Sequence, residues 1–186
     1  MMPEISLNIL DVAQNSVTAG ASLTEISISI DTSEDVLAVS IKDNGCGMSE
    51  ETIQKVTDPF YTTRTTRKVG LGIPFLKMAA EITGGIFSIT SSQGEDDHGT
   101  VTTARFVYSS IDRMPLGDIA GTMTSLIGPN PNMEFVLSFQ CDGAGFVMDT
   151  REFKAVLGDI PLSEPEVLSY IQGFIQENLS EFSINF

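Results

Sequence analysis

The sequence predicts an α+β protein, a two-layer α/β sandwich with helices on one face of a mixed sheet. Three observations carry that expectation. Two stretches, "TEISISID" and "DVLAVSIKD", alternate apolar and polar residues with the period of two that a half-buried strand requires. Two others, over residues 7–19 and 71–82, space apolar residues three and four apart, as a helix with one buried face does. The elements follow in the order helix, two strands, helix, loop, helix, two strands, which sets strands side by side and leaves helices to cover them.

Leu7, Leu10, Val12 and Ala13 predict a first helix running through Asn15 to about Ala19, with Gly20 as its stop. Ile26, Ile28 and Ile30 share one face of the first strand. The second strand, with Val36, Ala38 and Val39 to Ile41 as its apolar set, is expected to pair antiparallel with the first across a polar turn at 31–35. Ser49 is placed to cap a short helix ending near Asp58 and Pro59. Leu71, Phe75, Leu76, Met78, Ala79 and Ile82 form the stripe of the next helix, which Gly84 and Gly85 terminate. "IFSITSS" and "TVTTARFVY" read as two further strands, closing a first unit at about residue 110.

Residues 111–186 are expected to form a small α+β extension packed on the first unit. "LIGPNPNM" reads as a loop, "EFVLSFQ" and "FVMD" as a hairpin around "CDGAG", and "TREFKAVLG" as a short helix. A last helix in "SEPEVLSYIQGFIQENL" is expected to open with a capping box of Ser163 and Glu166. The extension carries 11 acidic and 3 basic residues and no catalytic constellation, and it is short for independent folding. The expected division is 1–110 and 111–186, with the second part a candidate for partner binding.

Composition narrows the function. The formal net charge of −15 opposes approach to a nucleic-acid backbone or an anionic membrane. Cys46 and Cys141 are too few for a disulfide framework or a zinc site, which fits a reducing compartment. The start "MMPEISLNIL" has neither a basic region nor a long apolar run, and no window approaches 18 uninterrupted apolar residues. A cytoplasmic protein without a membrane span is the expectation.

Three constellations carry chemistry. "DNGCGM", residues 43–48, follows the second strand; it reads as an ordinary turn or as a backbone that approaches a ligand while Asp43 accepts a hydrogen bond from an amine. Asp11 and Asn15 share a helix face at i, i+4, as do Asn8 and Asp11 at i, i+3. That pairing suits a hard cation and a water or hydroxyl nucleophile, or else is a solvated face. Arg64, Arg67 and Lys68 precede "VGLGI", whose backbone amides at a helix start favour phosphate. The phosphate-loop motif and the strand-first dinucleotide fingerprint are both missing.

Taken together, "LNILDVAQNSVTAGA", "DNGCGM", "DPFYTTR" with "GLGIPFLKMAAEITGG", and "HGTVTTARF" resemble, in order and spacing, the four boxes of the GHKL superfamily over roughly residues 5 to 108. This superfamily includes the ATP-binding domains of sensor histidine kinases, anti-sigma-factor serine kinases, Hsp90, gyrase and the mismatch-repair ATPases. The resemblance implies a Bergerat fold that binds ATP with Mg2+. It implies that Asn15 ligates the metal and that Asp11 orients or deprotonates the nucleophile, where a glutamate is more usual. It further assigns Asp43 to the adenine amine, Gly45, Gly47 and Met48 to the pocket, and Phe60 to the lid hinge. Arg64 and Lys68 then serve the phosphates, with Gly70, Leu71 and Gly72 at the following helix start, and Thr100 lies behind adenine. Lys68 stands where histidine kinases usually have a glycine. "PFYTTR" resembles the sensor-kinase lid and "QNSVTAGA" the mismatch-repair branch, so the two cues point to different branches.

The implied function is an ATP-dependent protein kinase of the anti-sigma or histidine-kinase type, phosphorylating a partner in trans. The alternative is a regulatory ATPase or a nucleotide-sensing adaptor without phosphotransfer. Expected partners are nucleotide and a regulatory protein, with a homodimer allowed and nucleic acid excluded. His98, in a loop beside "GTVTT", is expected at the surface and not as a phosphoacceptor.

Overall fold

The computed structural model describes residues 2–57, 72–95 and 97–182. Among them a six-stranded mixed sheet runs in the order β3-β4-β2-β1-β5-β6. Strands β1 (Leu23–Asp31) and β2 (Val36–Asp43) form an antiparallel hairpin in which Ile26 faces Ile41 and Ile28 faces Val39. Strands β3 (Ile86–Gln93) and β4 (His98–Val107) form a second hairpin, joined to β2 through β4. A third, β5 (Glu134–Cys141) and β6 (Ala144–Asp149), attaches on the other side, where β5 pairs parallel with β1.

Strict alternation decides which face is covered. Ile26, Ile28 and Ile30 of β1, Thr102, Ala104 and Phe106 of β4, and Phe135, Leu137 and Phe139 of β5 are all buried. Ser27, Ser29, Arg105 and Gln140, on the intervening positions, are exposed. In β2 the buried set is Leu37, Val39 and Ile41, one residue out of step with the expected Val36 and Ala38, because the pairing register with β1 places the odd positions over the core.

The helices supply the second layer. α1 (Ile5–Thr18) packs against α3 (Gly72–Ile82) and α4 (Ile119–Ile127), and α4 packs against α6 (Pro165–Ser180). The short helices α2 (Glu50–Val56) and α5 (Thr150–Leu157) lie at the margins and bury little. Ser49 caps α2 as expected, accepting from Thr52 N. Each fully buried aliphatic chain contributes about 1.5–3 kcal/mol. The residues after 110 therefore matter to the core: Met123, Leu126, Ile171 and Ile175 belong to the same apolar cluster as Ile5 and Ile9 of α1.

Three expectations are corrected. Residues 119–127 are helical, so the loop expected over "LIGPNPNM" loses its first two residues, Leu126 and Ile127; Ile119, Ala120, Met123, Leu126 and Ile127 are buried at helical spacing, and Asp118 caps α4 by accepting from Gly121 N. Helix α6 begins at Pro165 behind Glu164, with no side-chain cap, so Ser163 and Glu166 form no capping box. Proline at N1 fixes the helical φ and removes one of the unpaired N–H groups of the first turn. Met78 and Ile82 of α3 are exposed, and the inward stripe is Ile73, Leu76, Ala79 and Ala80. No helix among the described residues is long and apolar enough to cross a membrane.

Candidate functional site

The end of β2 is where α1, the loop 44–48 and the β3–β4 hairpin meet, and Asp43 ties them together. Its Oδ2 accepts from Ser16 Oγ of α1 at 2.8 Å, and its Oδ1 accepts from Gly45 N at 2.9 Å. A carboxylate has about four acceptor positions, so two remain for a ligand. Ser16 is 1% exposed and has no role in the sequence reading; only tertiary packing turns it toward Asp43.

The loop is pinned at every residue. Asn44 Oδ1 accepts from Ser22 N and Leu23 N, both at 2.9 Å, and its Nδ2 donates to Ser22 Oγ. Cys46 N donates to Ala19 O at 3.0 Å, and Gly45 O accepts from His98 Nδ1 at 2.8 Å. Met48 N donates to Ser91 Oγ, which lies 2.8 Å from both Gly99 O and Thr100 Oγ1. Thr100 is the register partner of Asp43. The glycines are set by this interlocking. A Cβ on Gly45 would lie 2.7 Å from Ala19 Cβ, and one on Gly47, at φ +68°, would lie 1.8 Å from Ser92 O. Both glycines are therefore explained by packing of protein on protein.

On α1 the two predicted side chains differ in setting. Asp11 is half-buried, and burial pushes its carboxyl above the usual range. Asn15, one turn on, is exposed, and neither side chain forms a hydrogen bond among the described residues. Asn8 is fully buried; its Nδ2 donates to Glu4 O while its Oδ1 has no partner, so it belongs to the core. Gly72 opens α3 directly against α1, where a Cβ would come within 2.8 Å of Asp11 Cβ. Thus Asp43, Gly45, Gly47, Met48 and Thr100 form one knot, Ser16 joins it to α1 beside Asn15, and Gly72 abuts Asp11. Phe60, Arg64, Lys68, Gly70 and Leu71 lie outside the described residues.

The knot lies at the end of β2, an interior strand of the sheet, and is joined to α1. The model of one family, histidine kinase-, DNA gyrase B- and HSP90-like ATPase, matches residues 4–110. The chain belongs to this family. It is 30% identical over 103 residues to the sensor histidine kinase YcbM of Bacillus subtilis, covering 53% of this chain and 33% of that protein. It is 33% identical over 99 residues to the sensor protein SrrB of Staphylococcus aureus, covering 50% of this chain and 16% of that protein. The chain thus matches a third or less of these relatives' length. In fold it is similar to the Aquifex aeolicus MutL ATPase domain complexed with ADP, at a TM-score of 0.54 and 12% identity, covering 99% of this chain and all of that one. The N-terminal domain of a DNA repair protein gives a TM-score of 0.59 at 12% identity, over 85% of this chain and 58% of that one.

Proposed function

We propose that the chain binds ATP with Mg2+ at the Asp43 knot and acts as a regulatory protein kinase on a partner in trans. The observation that carries the reading is Asp43: a carboxylate oriented from two sides, with acceptor capacity left over for an exocyclic amine. Asn15 presents an unpartnered amide oxygen of the kind Mg2+ accepts, and the ion would supply charge neutralisation at the phosphates. Asp11, with its raised affinity for protons, is suited to take a proton from an attacking hydroxyl or water. Arg64 and Lys68 would meet phosphate by side-chain charge, and Gly70, Leu71 and Gly72 by backbone amides at the start of α3.

Titration calorimetry with ATP and Mg2+ tests binding, and transfer of labelled γ-phosphate to a candidate partner tests kinase action. Adenine-nucleotide binding that is absent from the unaltered protein would end the proposal.

A second reading, a regulatory ATPase or nucleotide sensor, is favoured by the way α1 is shared. The helix that carries Asp11 and Asn15 also holds the later part of the chain: Ile5 N donates to Pro115 O, Ser6 N to Leu116 O, and Thr122 Oγ1 to Ser6 O. Nucleotide-dependent movement of α1 would reach α4 directly. ATP hydrolysis in the absence of any phosphoacceptor, with nucleotide-dependent protection of residues 115–127 from hydrogen exchange, would select this reading.

A further inference from the structure

Nine large hydrophobic residues are exposed among the described residues, and four of them, Val147, Val156, Ile160 and Tyr170, line a single groove. The groove runs between α5, the segment after it and α6, with a volume of about 1060 Å³. Its apolar character comes from a helix left uncovered: α5 buries only Thr150, and Val156 on it is 88% exposed. The aromatic side chains are fixed. Phe153 meets Phe174 edge to face at 5.8 Å and Tyr170 at 6.2 Å. α5 itself is anchored by Phe135 N donating to Thr150 Oγ1 and by Lys154 pairing with Glu134 of β5. The groove is therefore held by the fold without an occupant.

Its charge indicates what would occupy it. Glu152, Asp159, Glu164 and Glu166 line it, and among the described residues no lysine or arginine does. The nearest cations in sequence are already engaged, Arg151 with Asp149 and Lys154 with Glu134. A second copy of the chain would bring another net charge of −15 to an acidic rim, and a nucleic acid would be repelled likewise. We propose that this groove docks a basic amphipathic helical segment of a partner protein. Apolar side chains at i, i+3 or i+4, and i+7 would fill the groove, and flanking Lys or Arg would meet the four carboxylates. The open face of Tyr170 offers an arginine a cation–π contact. The inference deepens the partner-directed reading and rests on it for purpose only, since docking needs no nucleotide.

The test selects a displayed library of helical peptides, randomised in both apolar and charged positions, against the whole protein. Selected peptides should share an apolar stripe and a net positive charge. Their affinity should fall at least about tenfold on Val156→Asp or Tyr170→Asp, both exposed positions, and severalfold between about 50 and 500 mM salt. Glu152→Lys with Glu166→Lys should shift selection toward acidic peptides. Both groups of variants should keep the parent melting temperature and ATP affinity. No selection, selection of acidic or uncharged sequences by the unaltered protein, or indifference to Val156→Asp would overturn the proposal. So would a concentration-dependent dimer that Val156→Asp dissolves, which would identify a second copy as the occupant. Loss of ATP binding with peptide docking intact would refute the nucleotide site and leave the groove standing.

Discussion

The two ends of β2 are turned in similar ways and used differently. At one end, Asp31 accepts from Ser33 N, Ser33 Oγ and Glu34 N through a single oxygen, all within three residues and all exposed. At the other, Asp43 accepts one local donor, Gly45 N, and one donor from 27 residues away, Ser16 Oγ. Both are aspartates at a strand end, yet only the second is oriented by a tertiary contact. The left-handed residues differ in the room they have. Asp35, at φ +56°, carries a side chain there, whereas Gly47, at φ +68°, has a backbone carbonyl where its Cβ would be. Both turns are tied to distant chain, the first through side chains, Thr32 to Asp142 and Asp35 to Ser109, and the second through backbone packing that leaves no room for a Cβ at Gly47.

Substitution at Gly47 should show this most strongly. Gly47→Ala must displace Ser92 and hold a left-handed alanine, a loss of about 3 kcal/mol or more in denaturant unfolding. Asp35→Gly should cost less, about 1 kcal/mol, because losing its two hydrogen bonds from Ser109 is partly offset by relief of the left-handed φ. Next in size, Asp43→Ala should weaken ATP by about 10- to 100-fold in calorimetry, the scale of one charge-assisted hydrogen bond. Asp31→Ala should leave ATP affinity unchanged; equal losses at both aspartates would erase the distinction between the two turns. Ser16→Ala should cost about 1 kcal/mol of stability and lower ATP affinity about three- to tenfold, by freeing the Asp43 carboxylate to rotate.

The smallest effects are electrostatic and have opposite signs. Burial raises the Asp11 carboxyl, so its ionisation opposes folding at neutral pH. Asp11→Asn should therefore raise the melting temperature by about 1–2 °C at pH 7 while abolishing turnover. The difference should vanish below the usual carboxylate range, where Asp11 is protonated in both states. Hydrogen bonds from Ser33 and Glu34 hold Asp31 below its usual range. Its contribution is thus present at neutral pH and lost as the pH falls through that lowered value. Asp31→Ala should then lower the melting temperature slightly at pH 7 and not at all in strong acid.

Where a local pattern controls the structure, the sequence displayed it. The alternation in β1 and the Ser49 cap of α2 depend on near neighbours, and both were legible. The Asp43 loop was legible as a turn, but Ser16 was not, since a serine in mid-helix reads the same whether it faces water or a carboxylate. α4 was missed although Ile119, Ala120, Met123, Leu126 and Ile127 repeat at helical spacing, because the helix is short and interleaved with Gly121, Thr122, Thr124 and Ser125, which are weak helix formers. The parallel pairing of β5 with β1 leaves no mark on either strand, since its partners are more than a hundred residues apart.

That pairing has a practical consequence for handling the family domain in isolation. A fragment cut at residue 110 would lose β5 and turn β1 into a sheet edge. It would uncover a row of unpaired amides and carbonyls running from Leu23 to Ile30, on a strand whose other face is the isoleucine ladder of the core. Such an edge recruits other copies of itself. The fragment should be recovered as aggregate, and charged substitutions along that edge should restore its solubility before they restore its stability.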